Sequence, residues 1–175
     1  MRTLTPPALL RAVFGAAGLI ATLGIGCAHS APPASDATPW TPNPDEAAVT
    51  AALSGRDSTI DCAAVEALAK DPVATLISVT NHVEMPPWVG VRAAHCLTSR
   101  HAAAAEPTLT AWVTDPNTRG LAILVLDELN TLPEPLALRL ATATLSGPHA
   151  ADAQKRLPNS VHPSVRALVP AAVAP

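Results

Sequence analysis

The stretch PWVGVRAAHCL at residues 87–97 is the clearest helix signal in the chain. Proline at its start suits the first turn of an α-helix, where a backbone N–H has no partner within the helix. Similar words occur as DPNTRGLA at 115–122 and PSVRAL at 163–168, and more weakly as VEAL at 65–68. A word that recurs along a chain indicates a repeated structural unit.

The remainder of the chain after residue 46 also reads as short helices separated by proline. Helices are predicted over 46–53, 62–70, 72–83, 88–99, 119–130, 135–145, 150–157 and 164–169. A further helix is predicted to begin at residue 106. Asp71-Pro72 and Asp115-Pro116 are typical of a helix N-cap followed by proline. Residues 58–61 have the pattern of a capping box. No segment alternates with the two-residue period of a strand, so the predicted fold class is all-α.

One helix is predicted to be the most buried of the set. Residues 121–126 read LAILVL and are apolar on every side. A helix that is apolar all round is normally enclosed by other elements.

The repeated words resemble the short HEAT-like repeats, whose first helix opens with proline followed by Val-Arg-x-Ala. The interval from Val65 to Val91 indicates a period of about 27 residues. The resemblance covers roughly residues 58–170. It implies a short α-solenoid of about three to four helical hairpins over residues 47–170, stacked around a continuous core.

The motif residues of this resemblance are Val91, Arg92, Arg119, Val165 and Arg166. Valine and alanine would pack between neighbouring helices, and the arginines would cap carbonyls or pair with an acid on the adjacent unit. The interval from Arg92 to Arg119 matches the period, but the interval from Arg119 to Arg166 is much longer, so the register slips there. Unrelated hairpins that share a capping pattern are the alternative.

The N-terminal segment is typical of an export signal. Arg2 and Arg11 precede an uncharged apolar run at 12–26, which is shorter than the roughly 20 residues that span a bilayer. The end of that run, LGIGC at 23–27, resembles the lipobox of bacterial lipoproteins, although glycine stands where leucine is usual. The resemblance implies a signal peptide at 1–26, lipidation of Cys27 and a membrane anchor, with Ala28 favouring the outer membrane. Cleavage as an ordinary secretory signal is the alternative.

Residues 27–46 are rich in proline and alanine and are predicted to be a disordered tether, as is a short tail at 171–175. Trp40 stands alone in the tether. It would pack back on the domain or rest near lipid, with a recognition motif as the alternative. Removing Arg2 and Arg11 with the signal changes the formal charge from −3 to −5, which argues against a nucleic-acid partner.

Three cysteines are present, and a lipidated Cys27 leaves Cys62 and Cys96 as a pair in an oxidising compartment. A disulfide between them is therefore predicted. Aligning Val65 with Val91 places the two cysteines eight positions out of register, about 12 Å of helix rise. Either the helices cross steeply, Cys62 lies in the preceding loop, or both thiols are free.

The sequence contains no motif of a known catalytic, nucleotide or metal site. A metal or catalytic site from His95, Cys96 and His101 is the alternative to a purely structural role, but adjacent helical residues point apart. The acids Asp127, Glu128 and Glu134 are expected to be solvated. No cofactor, small-molecule substrate or enzymatic activity is predicted.

The function expected from the resemblance is that of an envelope adapter or scaffold that binds a protein partner. Two alternatives are a soluble secreted protein with a small His/Cys site and a passive structural lipoprotein.

Overall fold

The structure, a computed structural model, describes residues 40–56 and 59–169. The predicted signal at 1–26, Cys27 and the predicted tail at 171–175 lie outside the described residues, as does most of the tether.

Every regular element in the described part of the chain is helical, which confirms the all-α class. The α-helices are α1 (Pro44–Leu53), α2 (Cys62–Glu66), α3 (Pro72–His82), α4 (Pro87–His101), α5 (Glu106–Thr114), α6 (Arg119–Glu128), α7 (Glu134–Leu145), α8 (Ala150–Arg156) and α9 (Pro163–Arg166). Short 3-10 turns at Pro116–Thr118, Leu129–Thr131 and Leu157–Asn159 lie directly before or after an α-helix.

Helix α1 begins at Pro44, two residues before the predicted start and inside the segment assigned to the tether. A capping box that the sequence reading missed explains the earlier start. The Asn43 side chain accepts a hydrogen bond from the Glu46 backbone N–H at 2.9 Å, and the Glu46 carboxylate accepts one from the Asn43 N–H at 2.7 Å. These two bonds satisfy N–H groups that the helix start would otherwise leave unpaired.

Helix α2 is shorter than predicted and ends at Glu66. Its cap is Asp61, whose side chain accepts hydrogen bonds from the N–H groups of Ala63 and Ala64. The Lys70 N–H, which the prediction placed inside this helix, instead donates to the Asp45 carboxylate at 2.9 Å. The N-cap prediction at Asp71 is confirmed, because its side chain accepts the Ala74 N–H at 3.1 Å.

Successive helices contact each other in pairs: α1 with α2, α3 with α4, α5 with α6, and α7 with α8. The pairs are linked through two further sets of contacts. Helix α1 contacts α3, α5 contacts α7, and α7 contacts α9. Helix α4 contacts α6, and α6 contacts α8.

These contacts explain why the repeated words lose their register near the C terminus. Arg92 and Arg119 lie on α4 and α6, which contact each other. Arg166 lies on α9, which contacts α7 instead. The third word therefore does not occupy the position of the first two, and the long interval that precedes it is not one period.

The core contains leucine and valine from nearly every helix. The largest fully buried leucines are Leu53, Leu76, Leu97, Leu109, Leu129, Leu140 and Leu157. Helix α4 contributes most, with seven buried residues from Val89 to Thr98. Gly90 allows α4 to approach α3 closely, because a Cβ there would lie 3.3 Å from the Thr80 carbonyl oxygen.

The prediction that residues 121–126 form the most buried helix is wrong. Only Ala122, Val125 and Leu126 are buried on α6, and the other three apolar residues are partly exposed. Helices α4, α5 and α8 contact α6, and they leave one side of it uncovered. An all-round apolar pattern cannot tell which side a neighbouring helix will cover.

Candidate functional site

The uncovered side of α6 forms the floor of an apolar groove together with α4. Val91 on α4 and Gly120, Ile123 and Leu124 on α6 line it, and Ile60 closes one side. The groove has a volume of about 480 Å³. Val91 is 53% exposed, so the prediction that this motif residue packs between neighbouring helices is wrong.

Helical periodicity places these residues together. Gly120, Ile123, Leu124 and Asp127 follow the spacing i, i+3, i+4 and i+7, so they share one face of α6. On α4, groove residue His95 follows Val91 by four positions, one helical turn. Contact between α4 and α6 joins the two faces into one surface.

The polar rim of the groove consists of two acids, Asp127 and Glu128, together with Arg92 and His95. The Glu128 carboxylate lies 2.7 Å from His95 Nδ1, so the two side chains connect α6 to α4 across the groove. Asp127 Oδ1 accepts a hydrogen bond from Arg156 Nε at 2.8 Å, while the Asp127 side chain is still 61% exposed. These two acids, which were expected to be solvated, thus each have a partner on another helix.

A second, smaller groove adjoins the first. It has a volume of about 300 Å³ and lies beside α2, where Val65 and Leu68 provide apolar surface and Asp61 stands at the edge. Ile60 and Arg92 line both grooves, so the apolar surface continues from α2 across α4 to α6.

Arg92 holds the loop after α1 in place. Its guanidinium donates to the Leu53 carbonyl oxygen at 2.8 Å, to that of Arg56 at 3.3 Å, and also to that of Gly55. The fork of N–H groups in arginine suits several acceptors at once. This residue therefore holds the loop after α1 beside the boundary that the two grooves share.

The other motif residues have different surroundings. Arg119 forms a two-point ion pair with Asp152 on α8, at 2.8 and 2.9 Å. Arg166 donates to the carbonyl oxygens of Ser160 and Val161, close to it in the chain, and Val165 is fully buried. The arginines thus cap carbonyls at two positions and pair with an acid at the third.

Cys62 and Cys96 form a disulfide with a Cα–Cα distance of 5.3 Å, as predicted. Cys62 is the first residue of α2, and Cys96 is buried on α4. The expected mismatch came from aligning Val65 with Val91. The disulfide joins residues at a sequence separation of 34, so it does not connect equivalent positions of the repeated words.

The alternative site from His95, Cys96 and His101 is not assembled as a ligand set. Cys96 is bonded to Cys62, and His95 lies against Glu128. His101 Nε2 lies 3.2 Å from the Glu66 carboxylate. Within residues 40–56 and 59–169, no group of three His, Cys, Asp or Glu side chains is placed to hold a metal ion.

Trp40 packs on the helical domain, in agreement with the first of its predicted roles. Its ring is stacked on His82 with centroids 5.3 Å apart and planes 7° apart. His82 is the last residue of α3, so this stack holds Trp40 against the C-terminal end of that helix.

Charged pairs between neighbouring helix pairs are more frequent than the sequence predicted, since it indicated such a pair only for the motif arginines. Arg100 pairs with Glu66, Arg119 with Asp152, and Arg139 with Glu106, at sequence separations of 33 or 34. The disulfide has nearly the same separation. An arginine and an acid that lie 33 or 34 residues apart are therefore a signal in the sequence. Pairing rules within one helix do not detect it, because they compare residues only three or four positions apart.

Side-chain hydrogen bonds between helices lower the pKa values of three carboxyl groups. A side-chain hydrogen bond from Arg139 lowers the pKa of Glu106, and one from Arg119 lowers the pKa of Asp152. The hydroxyl of Ser164 donates to Glu134 at 2.6 Å and lowers the pKa of that carboxyl in the same way. All three groups lie in the C-terminal part of the domain, between α5 and α9.

No helix in the described part of the chain is both long enough and apolar enough to cross a lipid bilayer. No protein-family model, curated protein or solved structure proved similar to the chain.

Proposed function

We propose that this protein is an exported, lipid-anchored protein of the bacterial cell envelope whose helical domain is a scaffold that binds another protein. The observation that carries the binding role is the exposed apolar groove of α4 and α6. Contiguous exposed apolar surface with a polar rim is typical of interaction sites, because leaving it in water is unfavourable.

The domain is proposed to be a short α-solenoid of HEAT-like hairpins. Prolines in the first turns of α1, α3, α5, α7 and α9 support this arrangement. Three of the four intervals between them are equal in length, those from Pro44 to Pro72, from Pro107 to Pro135 and from Pro135 to Pro163. Helix pairs that contact the next pair at a nearly constant sequence separation are expected of a stacked repeat.

The proposed location rests on two features. The segment that ends at Cys27 resembles a lipoprotein signal, and a disulfide is typical of compartments outside the reducing cytosol. Facing the periplasm from the outer membrane, the domain would display its groove to other envelope proteins. Mass spectrometry of the mature N terminus tests the anchor, since lipidation predicts a diacylated Cys27 and no shorter soluble form.

Binding is favoured over catalysis by what lines the groove. Its floor is aliphatic, and its histidine and its two acids contact other protein side chains. A nucleophile with an adjacent base, which hydrolytic chemistry would require, is not found among the residues that line it.

Site-specific photocrosslinking in the native cell tests the binding role. A crosslinker at position 91 or 123 should give one discrete protein adduct, identified by mass spectrometry. The matched control is position 161, where valine is 61% exposed but lies outside both grooves. Equal adducts from all three positions, or none from 91 and 123, would contradict a protein-binding role for the groove.

A further inference from the structure

We infer that the occupant of the groove is an amphipathic helix of a partner protein, with aliphatic side chains on one face and lysine or arginine beside them. This inference rests on the proposed binding role and adds the chemistry of the partner. It follows from three properties of the molecule: the length of the apolar surface, the charge of its rim and the composition of the chain's own tether.

The first property is the length of the apolar surface. The two adjoining grooves extend from Leu68 beside α2 to Leu124 on α6, and Val91 lies exposed in the groove of α4 and α6. A surface with several separate apolar positions fits a row of side chains better than one compact ligand. A helix supplies such a row when its apolar residues are spaced at i, i+3 or i+4, and i+7.

The second property is the sign of the charge around the rim. Asp61 stands at the α2 end, and Asp127 and Glu128 stand at the α6 end, where Glu128 already contacts His95. Among the described residues that line the two grooves there is no lysine. The arginine there, Arg92, directs its donors to three backbone carbonyl oxygens.

Asp127 is the acid most able to receive a partner. Its exposed carboxylate engages Arg156 through one oxygen, Oδ1. A lysine or arginine beside the aliphatic face of the bound helix would meet complementary charge there, which favours docking in one orientation and disfavours acidic competitors.

The third property is that the adjacent part of this chain has no suitable side chains. Residues 28–39 contain only Ala, His, Ser, Pro, Asp and Thr. None of these provides the large aliphatic anchor that the grooves would enclose. Residues 1–26 do contain leucine and arginine, but the proposed function removes them as the signal, so the occupant is sought in another protein.

The test uses the full chain and two labelled synthetic peptides that share one leucine face. One peptide carries lysine on its polar face and the other carries glutamate, and binding is followed by fluorescence anisotropy. We expect the lysine peptide to bind about tenfold more tightly than the glutamate peptide. Added salt should reduce this difference.

Substitutions then locate the binding surface. Ile123→Ser and Val91→Ser should each weaken binding of the lysine peptide about tenfold, as expected at the centre of an apolar contact. Asp127→Lys should reduce or reverse the preference between the two peptides. Val161→Ser is the matched control and should leave both affinities unchanged, and circular dichroism confirms that each variant is folded.

Several results would overturn the inference. Equal binding of both peptides, no binding of either, or equal loss in Ile123→Ser and Val161→Ser would each show that the groove does not select a basic amphipathic helix. Concentration-dependent self-association that Val91→Ser abolishes would show that a second copy of the chain occupies it.

The crosslinking experiment separates this inference from the proposed function. If a crosslinker at position 123 traps one envelope protein through a segment that is neither helical nor basic, the binding role stands and the inference about the partner's chemistry fails. If neither groove position traps any protein, the binding role itself fails.

Discussion

The two ends of the helical domain are held together in different ways. At the N-terminal end, α2 has five residues and buries only Val65, and it is attached to α4 by the disulfide between Cys62 and Cys96. At the C-terminal end, α7 has twelve residues and buries five of them. Polar side-chain contacts connect α7 to its neighbours there.

The difference lies in the apolar area each helix buries, because both helices also make a charged contact: Glu66 of α2 pairs with Arg100, and Arg139 of α7 pairs with Glu106. A helix that buries one side chain gains little from the hydrophobic effect, on the order of 2 kcal/mol. Covalent and charged links then hold it against the rest of the domain. Breaking each type of attachment should therefore cost the two ends different amounts of stability.

Removing the disulfide should have the largest effect and should act mainly at the N-terminal end. The bond closes a loop across a sequence separation of 34, and its loss in the double variant Cys62→Ala/Cys96→Ala should lower the free energy of unfolding by about 4 kcal/mol. Urea denaturation measures the total loss. Hydrogen exchange should show that the variant loses more protection at the α2 amides than at the α7 amides. Equal loss of protection at both helices would refute the comparison.

Truncating the core at the other end should come next. Leu140 on α7 is 1% exposed, and Leu140→Ala should lower the free energy of unfolding by about 3 kcal/mol because it leaves a cavity. Leu138 on the same helix is only partly buried and provides the matched control, with a smaller expected loss from Leu138→Ala. Thermal denaturation compares the two variants, and similar losses would mean that burial does not hold α7 in place.

Replacing Arg92 should have an intermediate effect at the N-terminal end. Arg92→Met keeps much of the apolar stem but removes the hydrogen bonds to Leu53, Gly55 and Arg56, with an expected cost of about 1.5 kcal/mol. Arg92→Lys should recover little of it, because an ammonium group lacks the planar fork. Full recovery in the lysine variant, measured by urea denaturation, would show that charge alone matters there.

Acid should weaken the C-terminal end more than the N-terminal end. The folded state lowers the pKa of Glu106 and Asp152, so these carboxylates contribute stability above their unfolded pKa values. That stability is lost as the pH falls through the folded pKa values, whereas the disulfide does not titrate. Glu106→Gln should flatten the acid side of the stability profile measured by urea denaturation, and an unchanged profile would contradict this role.

Local signals explain what the sequence predicted correctly. The helix starts at Asp71-Pro72 and Glu106-Pro107 were readable because capping and proline act within a few residues. The cysteine pair was readable from the number of cysteines. The alignment of the two cysteines could not be predicted, because it depends on how one helix pair is offset against the next.

The groove could not be predicted for a related reason. The apolar run at 121–126 resembles a core helix in sequence, and only the positions of neighbouring helices decide that Ile123 and Leu124 line an open surface. The charged pairs at sequence separations of 33 or 34 carry that positional information. These pairs can be recognised in the sequence once the spacing between helix pairs is known.

The disulfide also has a mechanical consequence. If the chain were pulled from its two ends, the segment between Cys62 and Cys96 would stay outside the extended path, because the bond bypasses it. At about 3.3–3.6 Å per residue, this shortens the extended chain by roughly 110 Å. A reducing agent would release that length in a single step, so force measurements with and without reductant would count the residues enclosed by the bond.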